Sequence, residues 1–124
     1  MQLSHERPDY AYSLRAADGA SATVNDQVLR ASFILTPDSL QTDWPVADAA
    51  ALEVAALQPL LALNPEIVLL GTGSRQIFPS AEVMAACLTR GIGLEVMANA
   101  AAARTYHILA GEGRRVAAGF ILGG

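Results

Sequence analysis

The sequence contains no lysine. Its eight basic residues are all arginine: Arg7, Arg15, Arg30, Arg75, Arg90, Arg104, Arg114 and Arg115. Schiff-base chemistry and a lysine-bearing phosphate loop are therefore excluded. These cations are scattered and the net charge is −4. Phosphate backbones are bound by clustered cations, so no nucleic-acid partner is expected. Cysteine is nearly missing as well. Cys87 stands alone, which rules out an intrachain disulfide and leaves too few thiolates for a zinc cluster. No apolar run approaches the roughly 18 residues that a membrane span needs. The first ten residues are polar and include Glu6 and Asp9, unlike a signal peptide, so a cytoplasmic location is expected, with residues 1–8 flexible. Charged residues make up only 16% of the chain, against a usual share of about 25%. That shortage suggests a partner covering part of the surface, a homodimer being the simplest.

What is present is enough for one domain. The chain has 124 residues, 52% of them hydrophobic, and many of those are alanine. The N-terminal third reads as strands. Tyr10, Tyr12, Leu14 and Ala16 alternate with Ser13 and Arg15, and Asp18-Gly19 signals a turn. A strand is predicted from Val28 to Leu35, with Leu29, Ala31, Phe33 and Leu35 on one face and Arg30 and Ser32 on the other. Thr36-Pro37-Asp38 ends it, and an irregular stretch around Trp44-Pro45 follows. Helices and strands then alternate. Residues 49–63 form a helix that Pro59 should break or restart, and Asn64-Pro65 stops it. Ile67 to Leu70 is a strand buried on both faces. Ser80 caps a helix that runs to Arg90 with Gly91 as its stop, burying Val83, Met84, Cys87 and Leu88. Leu94 to Met97 is a strand, Asn99 caps a third helix ending at Gly111, and Arg115 to Leu122 is the final strand. The β-α-β-α-β order predicts parallel strands, with the N-terminal strands adding antiparallel members to the same sheet. The expected fold is a single α/β domain.

Gly71-Thr72-Gly73-Ser74 follows the buried strand directly, as a dinucleotide-binding loop would. The fingerprint fails, because Gln76 occupies the third glycine position and Pro79 separates the loop from the helix. No dinucleotide affinity and no other cofactor are expected. The loop reads either as a tight turn or as a binding loop, since ligands of parallel α/β sheets gather at the carboxyl ends of strands. In the third helix, about 100° per residue groups Ala101, Ala102, Thr105, Ile108 and Leu109 on the predicted buried side. Ala100, Ala103, Arg104, Tyr106 and His107 fall opposite. Arg and Tyr are frequent interface anchors, so this face reads either as a partner surface or as a solvated one. A serine–histidine arrangement would need His107 with Ser74 or Thr72, and the spacing names no carboxylate to orient it. Cys87 reads as core.

Ile67 to Gly73, Gly91 to Met97, Ala101 to Tyr106 and Glu112 to Ala118, taken together, resemble the domain-of-unknown-function family that contains mitochondrial complex I assembly factor three and the adipogenesis-associated proteins. The resemblance implies a single three-layer α/β domain, no established enzymatic activity and no known cofactor. Its mitochondrial members assist assembly of a respiratory complex by binding other proteins. Arg104, Thr105 and Tyr106 match the family motif. His107 stands where the family usually has asparagine, and Ala103 where it often has cysteine. The resulting expectation is a non-enzymatic binding or assembly-factor domain with an unidentified protein partner. It would act through Gly71, Thr72, Gly73, Ser74, Arg75, Asn99, Arg104, Tyr106 and His107. The alternative is a binder or enzyme for a small anionic ligand, held by the Gly71–Arg75 loop and the N-terminus of the helix after Asn99.

Overall fold

In the computed structural model, which describes residues 11–123, the Asp18-Gly19 signal is a tight turn. The Asp18 carboxylate accepts the N–H groups of Ala20 and Ser21, both at 2.8 Å, and joins β1 (Leu14–Ala17) to β2 (Ala22–Val24). Asn25, in the left-handed region at φ 53°, then turns the chain into β3 (Gln27–Leu29). These three strands form a small antiparallel sheet of their own. The expectations for residues 1–8 and Tyr10 lie outside the described residues.

The strand predicted from Val28 to Leu35 is two strands in two sheets. β3 ends at Leu29, and β4 (Phe33–Thr36) begins the larger sheet. Leu29, Phe33 and Leu35 are buried in one core as expected, but Ala31, at the break, is exposed. Ser32, predicted to face away from that core, is itself buried. Its hydroxyl donates to the Val46 carbonyl, and the Leu122 N–H donates to it at 2.9 Å. Pro37 lies in the turn from β4 to β5 (Ser39–Gln41), a strand the sequence did not suggest.

The larger sheet adds β6 (Ile67–Gly71), β7 (Gly93–Met97) and β8 (Val116–Phe120) in the order β5-β4-β8-β6-β7. β6 is parallel to both β7 and β8, and β8 is antiparallel to β4. The sheet is therefore mixed, as expected, although only β4 and β5 of the N-terminal strands belong to it. The fold class is α/β in three layers. One face, carrying Ile34, Val68, Leu70 and Ala117, packs against α1 (Val54–Leu61) and α2 (Ala81–Leu88). The other, carrying Phe33, Leu35, Leu69, Ala118 and Phe120, packs against α3 (Asn99–Gly111) and the small sheet. The Phe33 and Phe120 rings stack at 5.2 Å between centroids. Gly119 leaves room for Trp44, since a Cβ there would sit 2.7 Å from the indole ring.

Each helix departs from its sequence reading. Pro59 lies inside α1, and the interruption falls earlier, between a 3-10 turn (Ala49–Ala51) and Val54. Because α1 starts at Val54, the proline forfeits one helical bond, to the Ala55 carbonyl, and Ala55 is exposed so that water can serve that oxygen. In α2, Ser80 caps the helix by accepting the Val83 N–H, and Val83 and Cys87 are buried as predicted, but Leu88 is 67% exposed. In α3 the buried stripe is Asn99, Ala102, Tyr106 and Ala110, while Ile108 is 58% exposed. The exposed stripe is Ala100, Arg104, His107 and Ile108. Tyr106 and Ile108 have exchanged their predicted places. A helix with apolar residues on every side sets no strong phase, and the large ring fills the space above Leu69 and Phe120.

Candidate functional site

The loop after β6 is closed by its own hydrogen bonds. Thr72 is buried. Its N–H reaches the Met97 carbonyl at 3.0 Å, and its hydroxyl donates to the Arg75 carbonyl at 2.7 Å while accepting the Ile77 N–H at 3.0 Å. Gly73 takes φ 108°, which a side chain would strain. Its N–H, the donor that the anion-binding alternative needs, is given to Asn99 Oδ1 at 3.1 Å. The Asn99 amide group donates in turn to the carbonyls of Asp18 (2.8 Å) and Ile121 (2.9 Å), and the Asn99 N–H returns to the Gly73 carbonyl at 2.8 Å. Asn99 has no solvent exposure. It is not the N-cap of α3: Ala98 holds that position, without a side-chain bond.

Four segments therefore converge here: the Asp18-Gly19 turn, the Gly71–Arg75 loop, the start of α3, and residues 121–123. The contacts are close. A Cβ on Gly71 would collide with Asn99 Oδ1 and approach Phe120 to 2.9 Å, and one on Gly19 would lie 2.8 Å from the Ser74 Cβ. The predicted site residues thus divide. Gly71, Thr72, Asn99 and Tyr106 are interior, Gly73 is partly covered, and Ser74, Arg75, Arg104 and His107 face solvent. Glu112 lies 3.9 Å from Arg114, which also meets Glu66 at 3.4 Å. Gln76, where the fingerprint wants glycine, donates from its side chain to the Val96 carbonyl at 2.9 Å and covers part of the edge strand β7. Cys87 has no exposure. Burial pushes its thiol upward in pKa, with the Arg90 charge opposing. Among the described residues no three His, Cys, Asp or Glu side chains converge as a metal site would require.

A second feature was not anticipated. Residues 45–56 enclose an open groove of about 500 Å³. Its floor is Val46, Leu52 and Ala56, and its rim carries Asp48 and Glu53. Behind it, Trp44 Nε1 donates to the Ala56 carbonyl at 2.9 Å. The groove's mark in the sequence is that no cation occurs between Arg30 and Arg75.

A family model described as a protein of unknown function (DUF498/DUF598) matches residues 14–121. A Xanthomonas campestris protein solved by NMR is 62% identical and superposes with a TM-score of 0.85, covering 100% of this chain and 94% of that one. NADH dehydrogenase (ubiquinone) 1 alpha subcomplex assembly factor 3 of Danio rerio is 36% identical over 90 residues, which is 71% of this chain and 51% of that protein. The 13 kDa major membrane protein of Francisella tularensis subsp. holarctica (strain LVS) is 35% identical over 71 residues, 57% of this chain and 58% of that protein. The chain spans little more than half the length of these two relatives. Among the described residues, no helix is long and apolar enough to cross a membrane.

Proposed function

The chain belongs to the DUF498/DUF598 family of proteins of unknown function, which has an assembly factor among its homologues, and from that membership we propose that it is a non-enzymatic binding domain. It helps to assemble a respiratory complex in the cytoplasm through protein–protein contacts, and its outer surface carries the contact. The observation behind this reading is that Gly71, Thr72 and Gly73 turn inward. The Thr72 hydroxyl and the N–H groups of Thr72 and Gly73 are spent on Arg75, Met97 and Asn99, which takes the glycine part of the loop away from the small-molecule alternative and leaves it only Ser74 and Arg75. Exposed instead is the α3 stripe of Ala100, Arg104, His107 and Ile108, a cation and an imidazole beside an uncovered aliphatic side chain. Free of its partner, the chain pairs with a second copy through this stripe, and light scattering should show twice the monomer mass.

The test is genetic complementation in the native cells. Deleting the protein should reduce the amount of assembled NADH dehydrogenase seen on a native gel. The wild-type chain should restore it and Arg104→Ala should not, although the variant is folded, because exposed substitutions cost only about 0.5 kcal/mol. Normal assembly in the deletion strain would overturn the respiratory role. Full rescue by Arg104→Ala would remove α3 as the contact surface.

A further inference from the structure

We infer that the groove formed by residues 45–56 is a docking site for a basic segment of a partner protein, one carrying an apolar side chain next to arginine or lysine. This rests on the reading of the chain as a binding domain and names the chemistry of what it binds. The shape supplies the first argument. About 500 Å³ lies within the range of ligand sites, and the groove opens to solvent, so a side chain of a partner can enter it. The floor of Val46, Leu52 and Ala56 offers that side chain an apolar surface.

Charge supplies the second. The groove is lined by two acids, Asp48 and Glu53, and by no cation. Asp48 and Glu53 stand on the rim, and neither has an ion pair among the described residues. Asp48 commits one oxygen to the Ala50 N–H, and Glu53, although it precedes α1, makes no capping bond. Ala55 adds a further acceptor, since Pro59 has no N–H to return to its carbonyl. The N-terminus of α1 contributes the opposite sign, but about half a charge does not outweigh two carboxylates. Such a rim repels anionic lipid and nucleic acid and attracts a basic segment.

Selection from a random-peptide display library on the intact chain tests the proposal. Recovered peptides should place arginine or lysine beside leucine, methionine or an aromatic residue. A synthetic copy should perturb the fluorescence of Trp44, the chain's single tryptophan, and shift the NMR signals of Val46 and Leu52. Asp48→Asn with Glu53→Gln should weaken binding about tenfold, as should added salt. The asparagine keeps the cap oxygen and Glu53 is exposed, so folding is preserved. Ala55→Arg, also at an exposed position, should abolish binding. Recovery of acidic peptides, equal binding by the double variant, or no enrichment over a blank surface would each overturn the proposal. So would self-association of the wild type that the double variant abolishes, because the occupant would then be a second copy. If the groove variants fail these tests while Arg104→Ala still prevents complex assembly, the groove falls and the binding-domain reading stands.

Discussion

Asn99 binds three partners that lie 26, 81 and 22 residues away: Gly73, Asp18 and Ile121. Asn99→Ala leaves one buried donor and two acceptors short, at about 1–3 kcal/mol each, so a loss of roughly 3 kcal/mol or more is expected in urea unfolding. Asn99→Asp discriminates further. Its carboxylate can accept from Gly73 but faces two carbonyls, so its deficit should shrink as pH falls and the acid form can donate again. A deficit that is independent of pH would contradict this geometry. The residue was legible as important, and its role was not. Asparagine before a run of alanines reads as a helix cap, and bonds across such separations leave no trace in local spacing. Ser32 was misread for the same reason, because a polar residue in an alternating strand looks outward until its distant partners, Val46 and Leu122, are known.

At the scale of elements, apolar runs and terminators were reliable guides. β6 and β7, the Ser80 cap and the Gly91 stop stand where the sequence put them, because each depends on neighbours within a few residues. The phase of α3 was not readable in this way. Its surroundings decide it, and the consequence can be measured. Tyr106→Ala should cost about 3–5 kcal/mol, as large aromatic truncations in cores do. Ile108→Ala should stay within about 0.5 kcal/mol of wild type, as exposed changes do. The helical wheel of the sequence predicts the opposite ranking, so two thermal melts decide between them. The break between β3 and β4 is not legible in the pattern, because Leu29, Phe33 and Leu35 keep one parity while passing from one sheet to the other.

For the whole molecule, stability should narrow at both ends of the pH range. The Ser21 and Ala20 N–H groups hold the Asp18 carboxyl below its ordinary 3.8, and the Arg115 N–H, helped by the Arg114 charge, holds Glu66 below 4.5. A lowered folded pKa means the charged form is favoured on folding. These contributions are complete above the ordinary values and fade as pH falls through the folded ones. Cys87 behaves oppositely. Burial raises it above 9.0, so its contribution is complete below that value and is lost as pH rises toward the folded pKa. Urea titrations should show Asp18→Asn flattening the acid limb and Cys87→Ala the alkaline one, and unchanged slopes would refute the assignments. β8 is the last described strand in the chain and the middle one in the sheet, and β4 and β6 meet only through it. A fragment ending at residue 113 should lack cooperative unfolding, and a peptide of residues 114–124 added in trans should restore it. During synthesis on the ribosome, the β4–β5 hairpin and the β6–β7 pair emerge as separate half-sheets, each with an unclosed edge, and remain clients for chaperones until β8 is translated.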